Sequence, residues 1–239
     1  MESARCKVRP TQRRAPRLPM ILTIPDLLTP AEVKSLREIA ARSTFVDGRI
    51  SNPHNQTKNN QQLDLASPAY QQSAQIVGQA YQRNDEFQRF CFPRRFAPPM
   101  LCKYSPGMAY GAHCDNAIVG SPSNFFRSDV SSTVYLSDPA DCDGGELRIH
   151  LGDRHLDVKL APGGAVLYPS TTIHEVMPVT RGERLVAITF IESSIRGQTE
   201  REMLYSLGEV AALEGNRMEW KNRIELEKVR QNLHRMWLG

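Results

Sequence analysis

The sequence predicts a mainly β domain flanked by helices, and three observations carry that expectation. Between Pro99 and Phe190, short apolar runs alternate with turns rich in glycine, proline and serine, the pattern of many short strands. On either side, capping signals open segments whose apolar residues recur at helical spacing. With 239 residues, 40% of them hydrophobic, the chain is long enough to bury one substantial core.

Residues 1–19 come first, carrying Arg5, Lys7, Arg9, Arg13, Arg14 and Arg17 against Glu2. Such a basic, proline-containing tail with few large apolar residues is expected to be disordered. Pro10, Pro16 and Pro19 oppose an amphipathic targeting helix, and no apolar core of a secretory signal is visible. The net charge of +4 resides in this tail, so no nucleic-acid surface is expected on the remainder. No run of about 18 apolar residues predicts a membrane span.

Ile21–Ile24 then reads as a short strand. Thr29-Pro30-Ala31-Glu32 combines a capping box with proline at the first helical position, and Val33, Leu36, Ile39 and Ala40 form the apolar stripe behind it. The polar stretch 48–62, rich in Asn and Gln, is expected as a loop, either simply solvated or lining the mouth of a site. A second helix opens after Ser67-Pro68 and is expected to bury Ala74, Val77, Ala80 and Tyr81.

Two strands, Met100–Tyr104 and Ala109–Asp115, are expected around the turn Ser105-Pro106-Gly107. Val119–Asp129, with Gly120, Pro122, Phe125 and Phe126, is a second candidate lid. Gly144-Gly145 and Pro162-Gly163-Gly164 are turns and lack any phosphate-loop or dinucleotide fingerprint. Ala165–Tyr168 and Ile173–Val176 read as strand, turn, strand, and Arg184–Phe190 as a further strand.

From Thr199 to Leu238 the pattern turns helical, with a capping box at Thr199–Glu202 and a stripe of Leu226, Val229, Leu233, Met236 and Trp237. That stripe packs against its own domain in the first reading. In the second it joins two copies as a homodimer, since Trp and Met are enriched at interfaces. Five cysteines, an odd number with no Cys-x-x-Cys pair, argue for a reducing interior such as the cytoplasm over a disulfide framework or structural zinc.

The chemistry concentrates in four residues. In an extended strand His113 and Asp115 project to the same face, while Cys114 points away and is expected to be a buried, quiet thiol. With His174 they make a three-ligand face with open positions, suited to non-haem iron(II) oxygen chemistry. Arg184 follows ten residues later on an apolar strand face, where a guanidinium needs an anion and fits a carboxylate in two-point fashion. A lone His-x-Asp is a weak signal, and a lone arginine more often pairs with a protein carboxylate, here Glu146, Glu175 or Glu183. Order, strand placement and spacing together favour the metal reading.

Longer segments extend the pattern: Phe45–Arg49, Lys58–Leu63, Gly111–Ile118, Leu136–Pro139, Asp143–Leu147, Leu167–Ser170 and Pro178–Arg184. On these the chain, from about Met20 onward, resembles the PKHD-type hydroxylases, a bacterial branch of the prolyl/lysyl-hydroxylase-domain family of iron(II)- and 2-oxoglutarate-dependent dioxygenases. The resemblance implies a double-stranded β-helix, or jelly roll, with N-terminal helices and a C-terminal helical segment. It divides the chain into the tail 1–19, a strand and supporting helices 20–97, the catalytic core 98–192 and the helical segment 193–239.

The resemblance further implies His113, Asp115 and His174 as iron(II) ligands, Arg184 as anchor of the distal 2-oxoglutarate carboxylate, and Tyr104 and Tyr135 around that co-substrate. The tyrosines also fit ordinary strand packing. The implied reaction consumes O2 and 2-oxoglutarate, releases succinate and CO2, and hydroxylates a C–H bond of a small-molecule or peptide substrate, with L-ascorbate as reductant. Asp115 favours hydroxylation, because halogenating relatives lack this carboxylate. The alternatives are a non-catalytic jelly-roll sensor that binds metal or ligand, and the same site with a demethylation or desaturation outcome. The substrate and the role of Arg127 are not assigned by the sequence.

Overall fold

The computed structural model describes residues 21–121 and 123–239; the basic 1–19 segment lies outside the described residues. The chain opens with β1 (Leu22–Ile24) and α1 (Pro30–Ala41). The capping box forms as expected: Thr29 Oγ1 accepts from the Glu32 amide at 3.3 Å, and the Glu32 carboxylate accepts from the Thr29 amide at 2.8 Å. Two orphan donors of the first turn are thereby satisfied. Val33, Leu36 and Ile39 are buried, each contributing on the order of 1.5–3 kcal/mol.

The polar stretch 48–62, expected as a loop, instead holds a 3₁₀ turn at Gly48–Ser51 and parts of two strands. After β2 (Phe45–Asp47) come β3 (Lys58–Asn59) and β4 (Gln61–Leu63). Polar composition hid them, because strand pairing is made by backbone groups whatever the side chains. Helix α2 (Pro68–Arg83) is capped by Ser67 and buries Ala74, Val77, Ala80 and Tyr81 as expected. A further helix, α3 (Asp85–Cys91), is capped by Asn84.

The strands that follow are β5 (Pro93–Phe96), β6 (Met100–Tyr104), β7 (Ala109–His113), β8 (Ile118–Ser121), β9 (Asn124–Arg127) and β10 (Val130–Tyr135). Beyond them run β11 (Cys142–Gly144), β12 (Leu147–Leu151), β13 (Arg154–Val158), β14 (Ala165–Pro169), β15 (His174–Val176), β16 (Val179–Gly182) and β17 (Arg184–Ser193). Among the described residues these form a large antiparallel sheet, β1-β14-β10-β17-β6-β4-β2 with β5 on β17, and a smaller one, β13-β12-β15-β7-β3. The β8-β9 hairpin and the two-stranded pair β11-β16 stand apart from both. The architecture is a jelly roll, with no closed barrel.

Strand alternation builds two cores from the large sheet. On β17, Leu185, Ala187 and Ile191 pack with Leu36, Val77, Tyr81 and Phe87 of the helices. Val186 and Ile188 point the other way, toward Leu147, Ile149 and Val176 of the small sheet. The site lies between the sheets at one end of this second core.

Three local expectations are corrected. Strand β7 ends at His113, two residues short, and Cys114 is exposed rather than buried. The strand-alternation rule does not reach it, because the Asp115 amide bonds the Ser170 carbonyl at 3.2 Å instead of continuing the ladder. The C-terminal segment is two helices, α4 (Gln198–Glu214) and α5 (Trp220–Trp237). Helix α4 starts at Gln198 with Gly197 as its cap and no capping box at Thr199; a Cβ at Gly197 would meet the Glu200 carboxylate at 1.8 Å, so glycine makes room for that side chain. Finally, α5 packs on α4 with Leu226 and Leu233 half-buried, yet Val229 and Met236 of its predicted stripe are exposed.

Candidate active site

His113 and His174 are direct cross-strand partners in the register of β7 and β15, with ring centroids 4.3 Å apart. Each Nδ1 lies against a backbone carbonyl, Gly111 at 2.7 Å and Thr172 at 2.9 Å. A carbonyl only accepts, so both rings carry their proton on Nδ1 and present a bare Nε2. Those Nε2 atoms face the Asp115 carboxylate, at 4.0 Å from Oδ1 for His113 and 3.7 Å from Oδ2 for His174. One ligand atom from each of the three residues lies within 4.8 Å of the others, a spacing at which one ion could be held by two imidazoles and a carboxylate. The donor set suits iron(II) with open positions.

The surroundings fix these groups. Asp115 Oδ2 accepts from Ser131 Oγ at 2.5 Å, Ser131 Oγ lies 2.8 Å from Ser170 Oγ, and Ser170 Oγ lies 2.7 Å from Ser128 Oγ. The Tyr110 ring stacks on His113 at 3.6 Å, and its hydroxyl accepts from Asn52 at 3.0 Å. Tyr168 packs edge-on to His174 at 4.9 Å. Burial, reinforced by the neighbouring His174, holds the His113 imidazole down at about 4. It is therefore neutral near pH 7, the form that ligates.

Arg184 lies opposite Tyr104 in the register of β17 and β6 and is 4% exposed. Its guanidinium sits 5.0 Å from the Tyr104 ring centroid and 5.6 Å from that of Tyr135. Gly145, with φ +70°, admits it: a Cβ there would lie 3.0 Å from Arg184 Cδ. Burial raises the phenol pKa of both tyrosines, to about 12 for Tyr135, whose hydroxyl donates to the Val158 carbonyl at 2.9 Å.

The protein carboxylates that could have claimed Arg184 are engaged elsewhere. Glu146 pairs with Lys159 at 3.7 Å, Glu175 with His150 at 3.1 Å and Glu183 with Lys103 at 3.5 Å. Among the described residues none forms an ion pair with Arg184, and its buried Nε has no hydrogen-bond partner. A buried cation with an orphaned donor is a receptor for an anion from outside the chain. That fits the distal carboxylate of a keto diacid.

A cavity of about 540 Å³ is lined by Arg184, Tyr104, the three candidate metal ligands and Tyr168. The 48–62 segment lines it through Ser51, Asn52 and Lys58, and the second candidate lid through Val119, Gly120 and Ser121, with Ile118 just before it. At the β8-β9 hairpin Phe125 is exposed, while Phe126 is half-buried beneath Arg95. Five of the six site residues singled out in the sequence line this cavity; Tyr135 does not, and meets the site only through Arg184, its ring centroid 5.6 Å from the guanidinium. Arg127 stands apart, forked onto Asp129 at 2.6 and 2.8 Å. Sequence reasoning gave no individual role to Tyr110, Asn52, Lys58, Tyr168 or the serine chain, although Asn52 and Lys58 fall in the 48–62 stretch considered for the mouth of a site, Tyr168 and Ser170 in a segment of the resemblance, and Ser131-Ser132-Thr133 puts three hydroxyls in one strand.

The family model for the 2OG-Fe(II) oxygenase superfamily matches residues 99–192. A PKHD-type hydroxylase of Sphingopyxis alaskensis is 53% identical over 212 residues, spanning 89% of this chain and 97% of that relative. Among solved structures, a Pseudomonas putida prolyl-4-hydroxylase is similar at TM-score 0.52 and 23% identity, over 72% of this chain and 92% of its own. A Trichoplax adhaerens prolyl hydroxylase in complex with a hypoxia inducible factor peptide fragment is similar at TM-score 0.54 and 15% identity, over 78% and 87%. At those identities the structural likeness speaks for the fold alone. The chain belongs to the PKHD-type hydroxylases within the 2OG-Fe(II) oxygenase superfamily, and is an iron(II)- and 2-oxoglutarate-dependent dioxygenase.

Proposed function

We propose that His113, Asp115 and His174 hold the iron(II), and that Arg184 grips the distal carboxylate of 2-oxoglutarate between the rings of Tyr104 and Tyr135. The observation that carries this reading is the buried Arg184, with an unsatisfied Nε and no ion-pair partner among the described residues, in the same cavity as the three donors. When bound, the iron and 2-oxoglutarate supply the oxidising power for C–H hydroxylation, with O2 consumed and succinate and CO2 released. The chain supplies position. The Nδ1–H contacts orient both imidazoles, Ser131 orients the carboxylate, and the aromatic walls exclude water around the guanidinium.

No protein acid or base is needed in this scheme, and residues 98–192 form its catalytic core. The substrate is a small molecule or a peptide, and L-ascorbate serves as reductant. The four described cysteines are free thiols, which suits a reducing cytoplasm. Among the described residues no helix is long and apolar enough to cross a membrane. Homodimerisation through the C-terminal helices is supported by exposed Val210, Leu213, Trp220, Val229 and Met236; light scattering of the purified protein distinguishes one copy from two.

The test of function is succinate release by protein supplied with iron(II), ascorbate and 2-oxoglutarate, against a panel of amino acids, peptides and metabolites. Wild type is expected to release succinate above the Asp115→Ala background. Equal release by both proteins across the panel would favour the non-catalytic sensor instead.

A further inference from the structure

We propose that Lys58 forms a second anion site in the cavity, and that the substrate is an apolar compound whose carboxylate Lys58 receives. The inference rests on the 2-oxoglutarate reading of Arg184, which leaves Lys58 free for the substrate.

Lys58 is 6% exposed. Its ammonium donates to Ser51 Oγ at 2.6 Å and sits 5.4 Å from the Tyr110 ring centroid. Among the described residues it has no carboxylate within ion-pair distance, although Lys103 and Lys159, both more exposed, have Glu183 at 3.5 Å and Glu146 at 3.7 Å. An ammonium carries three donors, and burial without a counter-ion is costly. Ser51, an aromatic face and the more distant carboxylates of Asp115 and Asp47 compensate only part of that cost, and a bound metal would engage the charge of Asp115.

Placement makes the group useful. Lys58 pairs with Tyr110 across β3 and β7, and Tyr110 stacks on His113, so the ammonium stands one ring away from a candidate iron ligand. It enters from the edge of the small sheet, whereas Arg184 enters from the large sheet between Tyr104 and Tyr135. The two cations therefore enter from different sheets, with the buried Cys102 thiol within electrostatic reach of both. Leu65, Pro98, Met100, Ile118 and Val119 line the same cavity, offering an apolar wall to the body of a molecule anchored at Lys58. One cation and an apolar wall match a monocarboxylate better than a sugar or a polyphosphate.

The experiment uses full-length protein loaded with zinc and saturated with 2-oxoglutarate, titrated with N-acetyl-L-leucine and with its amide in a calorimeter or by NMR. Wild type is expected to bind the acid about tenfold or more tightly than the amide, the worth of a charge-assisted hydrogen bond. Lys58→Met is expected to abolish that preference with unchanged affinity for 2-oxoglutarate, and Lys58→Arg to retain part of it. Absence of an acid preference in wild type, or its survival in Lys58→Met, overturns the proposal. So does weakened 2-oxoglutarate binding in Lys58→Met, which would assign Lys58 to the co-substrate. Should Lys58→Met not fold, the wild-type preference and the Lys58→Arg variant decide. Failure of wild type to bind 2-oxoglutarate, or binding indifferent to Arg184→Gln, would instead defeat the functional reading beneath it.

Discussion

Ser131 and Asp115 are joined by a hydrogen bond of 2.5 Å from the serine hydroxyl to Oδ2, and Ser131 is itself backed by Ser170 at 2.8 Å. Ser131 is 2% exposed, so water does not substitute easily for its hydroxyl. Groups that orient a metal ligand typically contribute about 10- to 100-fold to metal affinity. Ser131→Ala is therefore expected to weaken cobalt(II) binding by about that factor while leaving 2-oxoglutarate affinity of the metal-saturated protein within about twofold. Calorimetric titration of metal, then of co-substrate, separates the two effects; unchanged metal affinity would remove Ser131 from the positioning role.

Arg184 makes the opposite prediction about stability and binding. Truncating one partner of a buried, hydrogen-bonded charge pair costs about 2–5 kcal/mol of binding, so Arg184→Gln should weaken 2-oxoglutarate binding by at least about 30-fold. Without added co-substrate, however, the guanidinium has an orphaned Nε and no ion-pair partner among the described residues. Replacing such a group by an apolar one of similar volume is neutral or stabilising. Arg184→Met is thus expected to keep or raise the thermal midpoint of the ligand-free protein. A midpoint several degrees lower would mean that Arg184 is already satisfied within the fold.

The pH dependence follows from His113. Its folded pKa of about 4 lies below the ordinary 6.5, chiefly through burial. Between those two values the unfolded chain binds a proton that the folded chain refuses, so stability falls as pH drops through that window and is fully recovered above it. Chemical denaturation of metal-free protein from pH 7 to pH 4 should show this decline, and His113→Asn should flatten it. Saturating zinc should move the decline to lower pH, because bound metal and proton compete for the same nitrogen. A pH profile identical in wild type and variant would place the acid sensitivity elsewhere.

What could be read in the sequence was local chemistry or strict periodicity. The Thr29–Glu32 capping box and the Val33, Leu36, Ile39 stripe need only neighbours along the chain, and both form as read. Arg184 was legible because a guanidinium on an apolar strand face is itself anomalous. Cys114 was misread because the period-2 rule presumes a strand that continues, and β7 stops at His113. Lys58 was hidden in a polar stretch, where a solvated lysine is the ordinary expectation. The Ser131, Ser170 and Ser128 chain depends on partners about forty residues apart, and no local pattern announces such a contact. Arg127 was visible as a residue without a role, and the structure gives it a mechanical one.

That role makes the final prediction. Arg127 Nε and Nη2 donate to Asp129 Oδ1 and Oδ2 at 2.6 and 2.8 Å, and Nη2 also reaches the Ser193 carbonyl at 3.1 Å. Asp129 Oδ2 in turn accepts from the Ser193 amide at 2.8 Å, tying β9 to the end of β17. The Asp129 side chain is 7% exposed and that of Arg127 is 29% exposed. Removing the arginine leaves a buried carboxylate with one backbone donor, a loss of about 3–5 kcal/mol for a fully buried pair. Because Arg127 is partly solvated, Arg127→Met is expected to cost less, about 2–3 kcal/mol. Asp129 also lies one strand residue from Val130 and two from Ser131, and its carbonyl accepts from the Ser170 amide at 3.2 Å, so the damage should spread to the serine chain. Urea denaturation measures the first effect, and cobalt(II) affinity below the midpoint measures the second. Full stability in Arg127→Met would show that Asp129 is held by the Ser193 amide alone, and would leave the arginine free for a role at the mouth of the cavity.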